Sequence, residues 1–238
     1  MIFASSDVKS SVEAAELAAR QTSEPSVFAL AGVHPHEAEK VSTDYLSDIK
    51  NILAKDRVVA IGEIGLDYFY DYSPRDIQRR VFREQIELAK ELGKPIIMHI
   101  RDAADRKNGD ANAETIDILR ETGAGKVGGV VHCFSGDMQN MMDAVELGFY
   151  ISFAGPLTFP RNEELRKIAS VVPLDKLMCE TDSPYLAPQG SRGKPNEPAH
   201  VRQVYELLAM LHEVSLEKLS EQVRLNVHNA FRLGEVNV

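Results

Sequence analysis

The sequence predicts an α/β protein built on parallel strands with helical crossovers, and three observations carry that reading. Seven short apolar runs recur along the chain, helical patterns separate them, and most of the runs end in a histidine or an acid. Strand followed by helix, repeated over 238 residues, requires parallel pairing, because strands that point the same way need a crossover between them. A βα barrel and a doubly wound open sheet both satisfy the pattern. No Gly-x-Gly-x-x-Gly follows the first strand and no P-loop occurs, which argues against the nucleotide-binding form of the open sheet.

The elements follow in order. Strands are expected near residues 2–4, 27–33, 58–63, 95–99, 127–132, 149–153 and 177–181. Ser10-Ser11-Val12-Glu13 has the form of a capping box for a helix reaching about Arg20. The run Ser73-Pro74-Arg75-Asp76 reads as a helix start, with Ser73 as N-cap and Pro74 at the first helical position. Ile77, Val81, Phe82, Ile86, Leu88, Ala89 and Leu92 then recur at helical spacing, and Gly93 stops the helix. Two further helices, about 199–212 and 216–233, close the chain. With no linker, low-complexity segment or short repeat, the expectation is a single domain over 1–238.

Composition narrows the class. Apolar residues make up 44% and charged residues 26% of the chain, the balance of an ordinary water-soluble protein. Nothing approaches the roughly 20 apolar residues that span a bilayer, and the N-terminus lacks a basic region followed by an apolar core. The two cysteines, Cys133 and Cys179, make no disulfide framework and indicate reduced thiols in a cytoplasmic protein. The net charge of −9 opposes a broad basic surface for nucleic acid but leaves room for a local basic pocket.

The strand ends carry the chemistry. The second strand runs into His34 and His36, the third into Glu63, the fourth into His99, Arg101 and Asp102, the fifth into His132 and the last into Glu180 and Asp182. Alternation puts Glu63 on a face with Val59 and Ile61, His99 with Ile97, and His132 with Val130. Uncompensated buried charges cost several kcal/mol each, and a shared cation offsets several at once, so five such strand ends point to a metal site. Carboxylates with neutral imidazoles suit Zn²⁺ or Mn²⁺, and Mg²⁺ where few imidazoles bind. Two such ions bridged by a carboxylate would activate a water against a phosphate or carbonyl. Asp182 is preferred to Glu180 because it lies nearer the strand exit. Asp67 is expected to fix the loop after its strand, and His36, His200, His212 and His228 to be structural.

The motifs GVHPH (32–36), IGEIGLDY (61–68), IMHIRDA (97–103), VHCFSG (131–136), ETDSPYL (180–186) and RGKPNEP (192–198), in that order over nearly the whole chain, resemble the TatD family of metal-dependent deoxyribonucleases of the amidohydrolase-like superfamily. The resemblance implies a (β/α)8 barrel and a 3′–5′ exonuclease that cleaves DNA with a metal-activated water. It implies Glu63 as the metal-bridging carboxylate, His99 and His132 as ligands, Asp182 as the ligand that orients the water, and His34 on the scissile phosphate. Arg101, Arg192 and Lys194 are phosphate-contact candidates from charge and loop position.

The chain departs from that family at its start. MIFASSD matches the family's second strand, so seven of eight barrel strands are expected, without the His-x-His strand that supplies two ligands. One bound ion instead of two, and an exposed sheet edge open to self-association, are the expected consequences; oligomeric state itself is open. Two other readings compete: hydrolysis of a non-phosphate bond such as an amide or lactone, and a catalytically impaired metal- or DNA-binding barrel.

Overall fold

The computed structural model describes residues 1–21 and 26–233, which divide into two compact units, Met1–Val130 and Val131–Val238. Strand and helix alternate through both, and seven strands fall among the described residues at the positions the apolar runs mark.

In the first unit, β1 (Ile2–Phe3), β2 (Phe28–Ala31), β3 (Val58–Asp67) and β4 (Ile96–Arg101) are neighbours in chain order, every pair parallel. Helices α1 (Val8–Arg20), α2 (Tyr45–Leu53), α3 (Arg75–Leu92) and α4 (Ala111–Thr122) connect them or follow them. β3 is buried along its whole length except at Glu63, which is partly exposed. A strand covered on both faces is continuously apolar rather than alternating, and the run from Val58 to Ile61 has that composition.

β3 also corrects the alternation argument. Ile61 lies opposite Ile96 and Ile64 opposite Met98, three steps on β3 against two on β4. The extra residue interrupts the two-residue period, so the face shared by Val59 and Ile61 does not carry through Glu63 to the strand end. Beyond the slip, β3 continues four residues past the expected end and brings Asp67 opposite Arg101. Gly65 makes this close pairing possible: its φ is +143°, and a Cβ there would stand 2.0 Å from the His99 carbonyl oxygen.

Two helix starts differ from expectation. Asp7, not Ser10, caps α1: its carboxylate accepts the Ser10 amide at 2.7 Å while the Ser10 hydroxyl accepts the Asp7 amide at 3.0 Å. An aspartate caps well and its charge also favours the positive helix end, so the helix begins at Val8. Ser73 does not cap α3, where Pro74 is the N-cap residue. The Ser73 hydroxyl is committed elsewhere, donating to the His36 carbonyl at 3.1 Å and accepting the Glu39 amide at 3.0 Å. Gly93 ends α3 as expected, in the left-handed conformation. The apolar face of α3 (Val81, Phe82, Ile86, Ala89) is at most 1% exposed. Each large side chain so buried contributes about 1.5–3 kcal/mol, which outweighs anything the missing cap costs.

β5 (Gly129–Val131) runs across the boundary in the chain between the units. Within the second unit lie α5 (Met138–Glu146), β6 (Tyr150–Phe153), α6 (Glu163–Ala169), β7 (Leu177–Cys179), α7 (Val201–Leu211) and α8 (Leu216–Phe231). β6 and β7 pair in parallel from Ile151–Leu177 to Phe153–Cys179. The buried Asn226 of α8 donates to the carbonyls of Leu174 and Leu177, both at 2.7 Å, and so ties the start of β7 to the helix.

Candidate active site

In the first unit the polar residues gather at the carboxyl ends of β2, β3 and β4. Asp67 is fully buried at the end of β3. Its Oδ1 accepts the amides of Phe69 and Tyr70, both at 2.9 Å, which fixes the loop after the strand as the sequence suggests. Its Oδ2 does more, meeting Nε2 of His36 at 2.8 Å and Nε2 of His99 at 3.1 Å. Burial alone would raise the Asp67 pKa, but the hydrogen bonds from His99, the Tyr70 amide and His36 outweigh it and hold the carboxyl well below the usual range. An ionised carboxylate only accepts, so Nε2 of both rings carries a proton and, in the neutral rings, Nδ1 carries the lone pair.

His34 sits beside them. Its Nδ1 accepts the His36 amide at 3.2 Å, and its ring packs edge-on against His36 and His99 with centroids 4.3 Å from each. Donor atoms of His34, His36 and His99 all lie within 4.8 Å of one another, close enough to ligate one cation. His36, expected to be structural, thus belongs to the same cluster as His34 and His99. Glu63 is partly exposed, and its amide donates to the Ser5 carbonyl at 3.3 Å. Arg101 lies with its guanidinium carbon 4.1 Å from the Phe69 ring centroid and 4.8 Å from that of Tyr70.

Two buried glutamines of α3 hold this arrangement from behind. Gln85 takes both backbone groups of Val33, accepting its amide at 2.7 Å and donating to its carbonyl at 3.0 Å. Gln78 does the same for Asp67, at 2.9 and 3.1 Å. Seven residues apart, they share a helix face and clamp the backbone just before His34 and at Asp67. The sequence offered a signal that the apolar pattern hides: two amides on the packed side of α3.

In the second unit His132 is 8% exposed and stands between two carboxylates. Its Nδ1 lies 3.0 Å from Glu180 Oε1, and its Nε2 lies 3.8 Å from Asp182 Oδ1. Glu180 also accepts the Cys133 amide. Burial opposes ionisation of Glu180, but the His132 imidazole, the Cys133 amide and the Ser152 hydroxyl prevail and lower its pKa. Nδ1 therefore donates to Glu180, and neutral His132 presents its lone pair at Nε2, on the Asp182 side. Glu180, set aside at the sequence level in favour of Asp182, is thus the residue that orients His132.

Of the remaining candidates, Lys194 is exposed and Arg192 lies 4.7 Å over the Phe159 ring. Their loop is ordered by the buried Asn196, which donates to the carbonyls of Thr181 and Tyr185, both at 2.7 Å. His200 meets the Asn196 side chain at 3.1 Å and His212 the Ala169 carbonyl at 2.9 Å.

Imidazoles held by carboxylate partners, at the carboxyl ends of parallel strands, define the class: a metal-dependent hydrolase of α/β fold, since ligating histidines characteristically give their second nitrogen to such a partner. A family model described as TatD related DNase matches residues 1–232, and the chain belongs to that family. It is similar to the metal-dependent hydrolase YabD of Bacillus subtilis, 42% identical over 211 residues, which cover 89% of this chain and 78% of YabD. The 3′-5′ ssDNA/RNA exonuclease TatD of a Rahnella species is 34% identical over 239 residues, with 98% of this chain and 87% of that protein covered. The crystal structure of YjjV, a TatD homologue from Escherichia coli, matches with a TM-score of 0.88 at 29% identity, over 98% of this chain and 86% of YjjV. The fold is accordingly that of the α/β barrels, with seven strands among the described residues. No helix among the described residues is long and apolar enough to cross a membrane.

Proposed function

We propose that this enzyme is a single catalytic domain that removes nucleotides from the 3′ end of DNA, using a divalent cation held by Glu63, His99, His132 and Asp182. The observation that carries the reading is the pairing of His99 with Asp67 and of His132 with Glu180, each at hydrogen-bond distance. Such a partner fixes the ring and its tautomer and raises the basicity of the free nitrogen. The name of the Rahnella relative supports the substrate, and the family match over 1–232 supports the single domain.

The donor set, two imidazoles and two carboxylates, fits Zn²⁺ or Mn²⁺ and, with retained waters, Mg²⁺. Bound there, the ion would supply positive charge beside the scissile phosphate and acidify an attacking water. Glu63 would also help to hold a second ion. Asp182 orients the water and takes its proton, while His34 donates to a phosphate oxygen as charge develops on it. Arg101, Arg192 and Lys194 position the neighbouring phosphates. Cys133 and Cys179 form no disulfide among the described residues, which supports the reading of a cytoplasmic enzyme.

The test is release of mononucleotides from 5′-labelled single-stranded DNA with Mg²⁺, Mn²⁺ or Zn²⁺, wild type against Glu63→Gln. The expected loss is on the order of 10³-fold, as for removal of a group that stabilises transition-state charge. Equal rates for the two proteins would refute the assignment.

A further inference from the structure

Resting on the nuclease reading above, we propose that Phe69, Tyr70, Tyr72 and Arg101 form a stacking platform for the unpaired bases of a single-stranded nucleic acid, next to the His36–Asp67–His99 cluster. Three large rings within four residues are left in solvent: Phe69 is 46% exposed, Tyr70 43% and Tyr72 64%. They are arranged rather than scattered. Tyr70 and Tyr72 stack with centroids 5.2 Å apart and planes 16° from parallel, and His36 meets both edge-on at 5.5 and 4.9 Å. Arg101 lies over Phe69 and Tyr70, which places a cation at the same surface.

The loop is built before any ligand arrives. Asp67 holds the Phe69 and Tyr70 amides, and the one acid among these rings, Asp71, is paired with Arg75 at 2.6–2.7 Å. Prepaid ordering lowers the cost of binding, and neutralising Asp71 removes a charge that would repel phosphate. Aromatic faces beside a cation bind single strands with little sequence preference, because every base has a π-face while the guanidinium meets the backbone. In a paired duplex the bases stack on one another and their faces are closed to these rings. The platform therefore selects unpaired ends, and through His36 it is continuous with the cluster that holds His99.

Binding without turnover tests it. In EDTA, the anisotropy of a 5′-labelled oligothymidylate is read with the full chain, beside an abasic strand of the same length and charge. Wild type is expected to prefer the strand with bases. Tyr70→Ala/Tyr72→Ala should weaken binding of that strand about tenfold, within what aromatic truncation costs per stacked base, and leave abasic binding unchanged. Tyr70→Phe/Tyr72→Phe, which keeps the rings, should restore it. A thermal melt accompanies each variant, and if the double alanine variant melts early, Tyr72→Ala alone replaces it. The proposal is overturned if wild type binds both strands equally, or if the alanine variant loses neither or both. Wild type that prefers bases yet hydrolyses no DNA with any of the three cations would remove the nuclease reading and leave the platform standing.

Discussion

At the scale of single residues, the two oriented histidines carry the most weight. Glu180 contacts the nitrogen of His132 that faces away from Asp182, so its role is positional and its loss should appear in metal affinity before anything else. Glu180→Gln keeps the shape but offers only a neutral acceptor. We expect metal binding to weaken about 10–100-fold, the usual effect of removing such a partner, as read by calorimetric titration with Zn²⁺ or Mn²⁺. An unchanged dissociation constant in a variant with a native melting curve would show that His132 needs no orientation or binds no metal. His99, which shares its carboxylate partner Asp67 with His36, is positioned by the same kind of contact.

At the scale of an element, α3 does two things that its amphipathic pattern does not announce. Its apolar face packs, and its two buried amides satisfy four backbone groups in strand-exit segments. Gln85→Leu matches the volume and would look harmless to a hydrophobicity count. It would leave the Val33 amide and carbonyl buried without these partners, at about 1–3 kcal/mol for each unsatisfied group. The expected outcome is a fall in unfolding free energy of that size, read as a lower urea midpoint with the slope unchanged; a variant as stable as wild type would mean that water replaces the amide.

For the whole molecule, a cation that binds the folded chain and not the unfolded one should raise its stability. Ligand binding to the native state at a hundredfold excess over its dissociation constant adds about 2.7 kcal/mol. Chelation should therefore lower the melting temperature, and adding back Zn²⁺ or Mn²⁺ should restore it for wild type but not for His132→Ala. A melting temperature indifferent to chelator and metal alike would count against the centre.

The sequence by itself determined the alternation of strand and helix, the position of each strand, the stop at Gly93 and the choice of residues at the strand ends. These are local or periodic properties: an apolar run between breakers forms a strand whatever its neighbours are. It also marked Asp67 as the anchor of its loop, since an aspartate just past a strand commonly accepts amides further on. Only tertiary structure decided the rest. The slip in β3 register depends on how its backbone meets β4 at Gly65. The caps at Asp7 and Pro74 depend on which acceptor is nearer and what Ser73 already binds. The joining of His36, Asp67 and His99, and of His132 and Glu180, pairs residues up to 48 positions apart. Such pairings leave no periodic trace, because a hydrogen bond between distant side chains requires only that the fold bring them together.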